Sequence, residues 1–131
     1  MALLLEWQLY IYWLQKLNNN IMIIDKDGNI TIITQEKTSV IELVKKLDVV
    51  YSRFKNDNII VSLTSLKPIP LEEIIEFLQL SNTHRKSKHS FVVVSNKVNL
   101  DDMPDEIIVV PTIQEAYDVI EMEEIERDLG F

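Results

Sequence analysis

The sequence predicts an α/β fold in which a mixed sheet of about four to five strands is joined by crossover helices, in the order ββαβαββα. Short runs of β-branched residues alternate with longer segments in which apolar residues recur at helical spacing. The chain has two glycines and four prolines among 131 residues, so its elements should be regular and its loops short. An additional apolar helix is expected ahead of the first strand.

The expected N-terminal helix is the apolar segment MALLLEWQLYIYWLQKLNNN, which contains both tryptophans, Trp7 and Trp13. Polar residues interrupt it too often for a membrane span, and it lacks the basic start and cleavage site of a signal peptide. Three interpretations stay open. The segment is an amphipathic helix that docks on the domain or on a partner, including a homodimer partner; a helix that contacts a membrane surface through its tryptophans; or a non-native extension ahead of Met22. The predicted boundaries are an N-terminal segment, 1–20, and a domain, 21–131.

The stretch DKDGNITIITQE predicts a β-hairpin, because the β-branched runs Ile21–Ile24 and Ile30–Thr34 flank a Lys-Asp-Gly-Asn turn. Its acids and amides also have the ligand spacing of an EF-hand calcium loop: Asp25, Asp27, Asn29 and Glu36. Such a loop needs glycine at its sixth position, where the backbone takes a positive φ, but Ile30 stands there. The hairpin interpretation is therefore preferred, and no metal is expected.

The next elements follow from apolar spacing and capping residues. Ser39 is expected to cap a helix that runs to about Phe54. Its predicted apolar face consists of Val40, Leu43, Val44, Leu47, Val50, Tyr51 and Phe54. The short apolar run Ile59–Leu63 predicts a strand that is buried on both faces. Pro70 suits the first turn of the following helix, which is expected to end at about Lys86.

Two strands and a helix complete the predicted domain. The strands are Phe91–Val94 and Ile107–Val110, separated by the polar loop Asn96–Glu106. The sequence Thr112-Ile113-Gln114-Glu115 is a capping box, which predicts the start of the last helix. The predicted buried face of that helix consists of Ile113, Ala116, Tyr117, Ile120 and Ile125.

Charge and residue inventory argue against most catalytic and nucleic-acid-binding classes. The net charge is −8, and the chain from Leu100 onward has eleven acids and one base, so it is a poor general binder of nucleic acid. The one basic cluster, HRKSKH, offers Arg85, Lys86 and Lys88 as contacts to nucleic acid; both its histidines are expected to be exposed at a helix end. The absence of cysteine excludes thiol catalysis and fits a cytoplasmic location. No nucleotide loop or nucleophile elbow is present, so a non-enzyme without cofactor is expected.

The order of the predicted elements from Ile59 onward matches the order in one known family. These elements are strand Ile59–Leu63, a loop, helix Leu71–Lys86, strand Phe91–Val94 and the Thr-x-x-Glu-Ala start of the last helix. With the hairpin included, residues 21–126 resemble a STAS domain, the fold of anti-sigma factor antagonists and of the cytoplasmic tails of sulfate transporters. The resemblance implies a non-enzymatic regulatory module that binds a protein partner. The implied partner-binding residues are Lys67, Pro68, Pro70, Leu71, Glu72 and Glu73.

Two positions depart from the STAS pattern. The family's Asp-Ser-Ser-Gly signature falls on Pro70–Glu73, so the serine that is phosphorylated in the antagonist branch corresponds to Glu72. Such a site cannot be switched by a kinase, and Glu72 either mimics the phosphorylated, non-binding state or is an ordinary acid in the first helical turn. The loop Asn96–Glu106 is also too short for the extra helix that the family carries there.

A second resemblance concerns the C-terminal sequence EMEEIERDLGF. Short chains with a similar ending are labelled ribonuclease Z, an enzyme that resembles the metallo-β-lactamases and needs a His-x-His-x-Asp-His zinc motif. With two histidines this chain cannot form that site. The alternative function is therefore an accessory protein that associates with a ribonuclease Z-type tRNA-processing enzyme and has no nuclease activity itself.

Overall fold

The computed structural model describes residues 6, 9, 22–35, 40–63 and 69–130. The strands are β1 (Met22–Asp27), β2 (Ile30–Gln35), β3 (Asn58–Ser62), β4 (Phe91–Val94) and β5 (Ile108–Val110). The helices are α1 (Val40–Val50), α2 (Leu71–Ile74), α3 (Leu78–Lys86) and α4 (Ile113–Asp128). Short 3₁₀ turns occupy Tyr51–Arg53, Ile75–Phe77 and Leu100–Asp102. The predicted order ββαβαββα is confirmed for the domain, with α2 and α3 in the place of one helix.

The five strands form one mixed sheet in the order β1-β2-β3-β4-β5, so each strand pairs with its neighbour in the sequence. The first pair is antiparallel, and the other three pairs are parallel. Parallel neighbours require a connection that returns to the same end of the sheet, and the helical segments between β2, β3 and β4 provide it. The predicted mixed sheet with crossover helices is therefore confirmed.

The hairpin of β1 and β2 confirms the interpretation of DKDGNITIITQE as far as Gln35. Asp27 pairs with Ile30, which leaves Gly28 and Asn29 as a two-residue turn. Gly28 has a φ of +60°, a left-handed conformation that glycine adopts without the steric cost of a Cβ atom. Ile30 begins the second strand, so the sharp bend of a calcium loop does not occur there.

Replacing Gly28 with alanine is expected to lower the free energy of unfolding by about 1 kcal/mol. The cost is conformational, because a Cβ atom at this position would meet no heavy atom within 4 Å. Urea denaturation followed by circular dichroism measures the difference. Asn29→Ala in the same turn is the control, and an equal loss in both variants would contradict the assignment of the cost to the positive φ.

The two faces of the sheet bury two separate cores. The larger core lies between the sheet and helices α1 to α3, where the α1 residues predicted to face inward, from Val40 to Val50, are buried. The smaller core lies under α4. Strands β3 and β4 contribute to both cores and are buried along their whole length, as the continuous apolar runs predicted.

The segment predicted as one helix from Leu71 to Lys86 contains a 3₁₀ turn at Ile75–Phe77. In a 3₁₀ turn, side chains three residues apart lie above one another. Ile74 and Phe77 consequently face the core together, and each is 0% exposed. The apolar pattern alone cannot distinguish this tighter turn from a regular helix.

The predicted inner face of α4 is correct for four residues and wrong for Ile125. Ala116 and Ile120 are buried, and Ile113 and Tyr117 are half-buried. Ile125 is 52% exposed, because the inward position in that turn belongs to Glu124, which hydrogen bonds with a buried amide of the sheet. The predicted capping box begins the helix: the Thr112 hydroxyl accepts a hydrogen bond of 3.1 Å from the Glu115 amide.

Candidate partner-binding surface

The candidate partner-binding surface lies at the start of α2, beyond the carboxyl ends of the parallel strands. Pro70 is the N-cap, with φ −69° and ψ 155°, and its carbonyl accepts hydrogen bonds from the amides of Glu73 at 3.0 Å and Ile74 at 3.4 Å. Proline suits this position because the amide that it lacks would have no partner within the helix. Glu72 and Glu73 follow in the first turn, where the helix dipole favours acids.

The predicted partner-binding residues differ in exposure. Pro70 and Glu72 are exposed, while Leu71 and Glu73 are half-buried. Lys67 and Pro68 lie outside the described residues. Within the described part of the chain, the surface that a partner could touch at this helix start therefore centres on Pro70 and Glu72.

The structure adds Asn96 and Lys97 to this surface. The Ile69 amide donates a hydrogen bond of 3.3 Å to the Lys97 carbonyl, which places the turn after β4 beside the approach to α2. Asn96 and Lys97 are both exposed. The sequence interpretation missed them, because only the pairing of β3 with β4 brings the two loops together. The surface thus carries a cation as well as Glu72.

Gln35 is a buried polar residue at the same end of the sheet. It ends β2, its side chain is 0% exposed, and among the described residues neither its amide oxygen nor its amide nitrogen has a hydrogen-bond partner. A buried amide without partners costs stability, commonly about 1–3 kcal/mol. Nothing in its sequence context, Ile-Thr-Gln-Glu, indicated that this glutamine would face the core.

The predicted nucleic-acid contacts do not form a uniformly basic surface. Arg85 forms an ion pair with Glu123 of α4, with 2.6 Å between guanidinium nitrogen and carboxylate oxygen. Lys86 and Lys88 are exposed. A cavity of about 390 Å³ next to this cluster is lined by basic and acidic side chains together. Its lining residues are Arg85, Lys88, His89, Glu123, Glu126, Arg127 and Gly130. Acids among the cations oppose binding to phosphates, so the geometry does not favour a nucleic-acid function.

His84 is buried, which corrects the prediction that both histidines are exposed. Its side chain is 0% exposed; Nδ1 accepts a hydrogen bond from the Tyr51 hydroxyl at 2.5 Å, and Nε2–H donates to the Asp57 carbonyl at 2.6 Å. Both bonds are satisfied by the neutral ring with its proton on Nε2. Burial lowers the pKa of His84 to about 4, although the bond to the Asp57 carbonyl acts in the opposite direction. His89 is half-buried and stacks on the His84 ring.

Asn58 joins α4 to the amino end of the sheet. Its amide nitrogen donates to a Glu124 carboxylate oxygen at 3.0 Å. Its amide oxygen accepts from the Ser90 backbone amide at 2.8 Å and from the Arg127 guanidinium at 3.4 Å. The sequence Asn-Asp-Asn indicated only a loop at this position. The contacts require three distant segments of the chain, so no local pattern could have predicted them.

The outward face of α4 carries three exposed apolar side chains. Met122 is 61% exposed, Ile125 52% and Leu129 67%. Their spacing of three and four residues places them on one stripe of the helix. Apolar stripes on a surface helix are common contact sites, so this α4 stripe is a further surface that the sequence interpretation assigned in part to the core.

Three other sequence expectations concern metal, membrane and the tryptophans. Within the described ranges, no group of three or more histidine, cysteine, aspartate or glutamate side chains could hold a metal ion. None of the helices in those ranges is long and apolar enough to cross a bilayer. Trp7 and Trp13, the predicted membrane or interface contacts, lie outside the described residues.

Comparison with solved structures shows the fold that this geometry represents. The chain is similar to a serine-to-glutamate variant of RsbS from Moorella thermoacetica, a STAS-domain anti-sigma factor antagonist. The TM-score is 0.56 at 14% sequence identity, and the match covers 81% of this chain and 97% of that one. No family model matches the sequence, and no curated protein matches it. The STAS-like fold predicted from the sequence is thereby confirmed.

Proposed function

We propose that the chain is a non-enzymatic, STAS-like regulatory module that binds a protein partner at the start of α2. The observation that carries the proposal is the fold: nearly the whole of an anti-sigma factor antagonist domain is matched. The exposed pair Pro70 and Glu72, with Asn96 and Lys97 beside it, is the part of that surface that the described residues supply. Because this surface carries both Glu72 and Lys97, a partner whose contact surface has both positive and negative groups would complement it.

The proposal includes a degenerate phosphorylation site. Glu72 takes the place that the signature serine has in the family, so its negative charge is permanent. It is exposed in the first turn of α2, where a partner would meet it directly. The similar RsbS chain also carries a serine-to-glutamate substitution. A module of this kind would stay in a single, partner-binding state, with Glu72 as an ordinary first-turn acid at the contact and not as a mimic of the non-binding phosphoserine. Its regulation would depend on the amount of partner rather than on a kinase.

Glu72→Lys is expected to reduce recovery of the partner about tenfold or more, because a reversed charge at a contact opposes the complementary group. The full chain is immobilised and incubated with an extract of its source cells, and retained proteins are quantified by mass spectrometry. Glu76→Lys is the matched control: Glu76 is also exposed, but it lies one turn further along, in the 3₁₀ segment.

Two results would contradict the proposal. One is that no protein is retained on the wild-type chain above the level on an unrelated acidic protein. The other is that Glu72→Lys and Glu76→Lys retain the same protein equally well, which would remove the α2 start as the contact. In the second case, loss of the protein on Met122→Lys would assign the contact to the α4 stripe instead.

A further inference from the structure

The helix α4 leaves part of the sheet face on which it packs uncovered. α4 is the one helix on this face within the described residues, and it packs closely against β3, β4 and β5. It reaches the β1–β2 hairpin through side chains near the turn: the Tyr117 hydroxyl donates to Asp27 at 3.0 Å, and Asn29 contacts Glu124 at 3.5 Å. Ile30 and Ile32 of β2 also pack against the core under α4, and beyond them, toward Ile23 and Thr34, the hairpin has no described helix over it.

The uncovered part of the hairpin begins beside Ile32 and extends to the end away from the turn, and it also carries the exposed Asp25. Ile32 lies directly opposite Asp25, so it shares a face with Ile23, two residues before Asp25. Thr34 lies opposite Ile23 on the same face. All three are half-buried. We call Ile23, Ile32 and Thr34 the hairpin half-face.

We propose that residues 1–20 dock on the hairpin half-face as a second helix beside α4. The segment ends two residues before Met22, at the end of β1 that belongs to the half-face. Twenty residues of helix measure about 30 Å, more than the roughly 20 Å of a six-residue strand, so the segment is long enough to cover the hairpin. The run Asn18-Asn19-Asn20 supplies turn-forming residues for the required reversal of direction.

The two described residues of the segment fix which side would face the sheet. Glu6 and Leu9 are helical and exposed, and they lie one turn apart. At helical spacing the opposite side carries Leu4, Trp7, Ile11 and Leu14. Trp13 falls on the side of Glu6 and Leu9. The proposal therefore places Trp7 against the sheet and Trp13 in solvent.

The test uses each tryptophan alone in the full chain. With Trp13→Phe, Trp7 is the one remaining tryptophan, and with Trp7→Phe, Trp13 is. Trp7 is expected to emit at shorter wavelength and to be protected from acrylamide quenching, and Trp13 to be quenched freely. Adding Ile32→Lys to the Trp7 reporter should raise the quenching constant about twofold or more and shift the emission to the red, because a buried charge displaces the helix.

The matched control is Val49→Lys, since Val49 lies on α1, on the opposite side of the sheet, and is 78% exposed. It should leave the Trp7 signal unchanged. Circular dichroism verifies that each variant is folded, and Ile32→Ala replaces Ile32→Lys if the lysine variant does not fold.

Five results would overturn the proposal. The first is that Trp7 is quenched as freely as Trp13, and the second is that its quenching is the same with and without a substitution at Ile32. The other three concern the conditions under which Trp7 is protected. Its protection is lost on dilution, which would place the segment against a second copy of the chain. Its protection is lost with Ile125→Lys instead, which would place it on the α4 stripe. It becomes protected when vesicles of phosphatidylcholine and phosphatidylglycerol are added, which would place it in a membrane surface.

Discussion

Asn58→Ala is expected to lower the free energy of unfolding by about 2–4 kcal/mol. The alanine cannot bond with Glu124, Arg127 or the Ser90 amide, and the Ser90 amide would remain buried without an acceptor. Loss of a partner by a buried donor costs more than the mean value of a hydrogen bond, because the donor has already been removed from water. Urea denaturation, followed by far-ultraviolet circular dichroism, measures the difference.

Asn29→Ala is the matched control for this prediction. Asn29 also contacts the Glu124 carboxylate, but at 3.5 Å and at an exposed position. Removal of its amide should cost about 0.5 kcal/mol or less, as for other exposed polar contacts. Equal losses for Asn58→Ala and Asn29→Ala would contradict the role assigned to Asn58, because burial is what distinguishes the two.

Acidification from pH 6.5 to pH 4 is expected to remove up to about 3 kcal/mol of stability through His84. Burial lowers the pKa of this histidine to about 4 in the folded chain, whereas in the unfolded chain it has the ordinary value of 6.5. Between these two values the unfolded state binds a proton that the folded state does not. Stability therefore falls as the pH is lowered through this window, and the His84 contribution levels off below pH 4.

His84→Gln isolates this contribution from that of the carboxylates. Glutamine can still donate to the Asp57 carbonyl but does not titrate, so the variant should be less stable at pH 7 and show a flatter dependence between pH 6.5 and 4. The measurement is the free energy of unfolding at several pH values, taken as wild type minus variant. His89→Gln, which alters the neighbouring half-buried ring, should keep the steep dependence. A wild-type curve parallel to that of His84→Gln would contradict the prediction.

The fold could be predicted from the sequence because its strands and helices have strong local patterns. β3 and β4 are short β-branched runs buried on both faces, and the hairpin turn contains the one glycine that its backbone needs. The start of α4 depends on a capping contact between residues three apart. Such patterns involve neighbours in the chain, so a single sequence contains all of the required information.

The candidate site was less predictable because it depends on contacts between distant segments. Arg85 looked like a free cation until α4 placed Glu123 beside it. His84 looked like a helix-end residue, yet Tyr51 and Asp57 enclose it. Ile125 had the correct type for the core but lay about 100° from the inward direction that Glu124 occupies. For Arg85 and His84 the deciding partners are more than twenty residues away, and Glu124 itself faces inward because of Asn58, 66 residues away.

The sequential order of the strands has a consequence for the nascent chain. Because every strand pairs with the one before it, each can join an edge that already exists as the chain leaves the ribosome. The helix α4 follows all five strands in the chain and covers Ile60, Val92 and Val94. Until it emerges, these side chains are exposed on an almost complete sheet. The first turns of α4, which carry Ala116 and Ile120, thus close the domain, and a chain that is truncated before Ala116 would present an aggregation-prone surface.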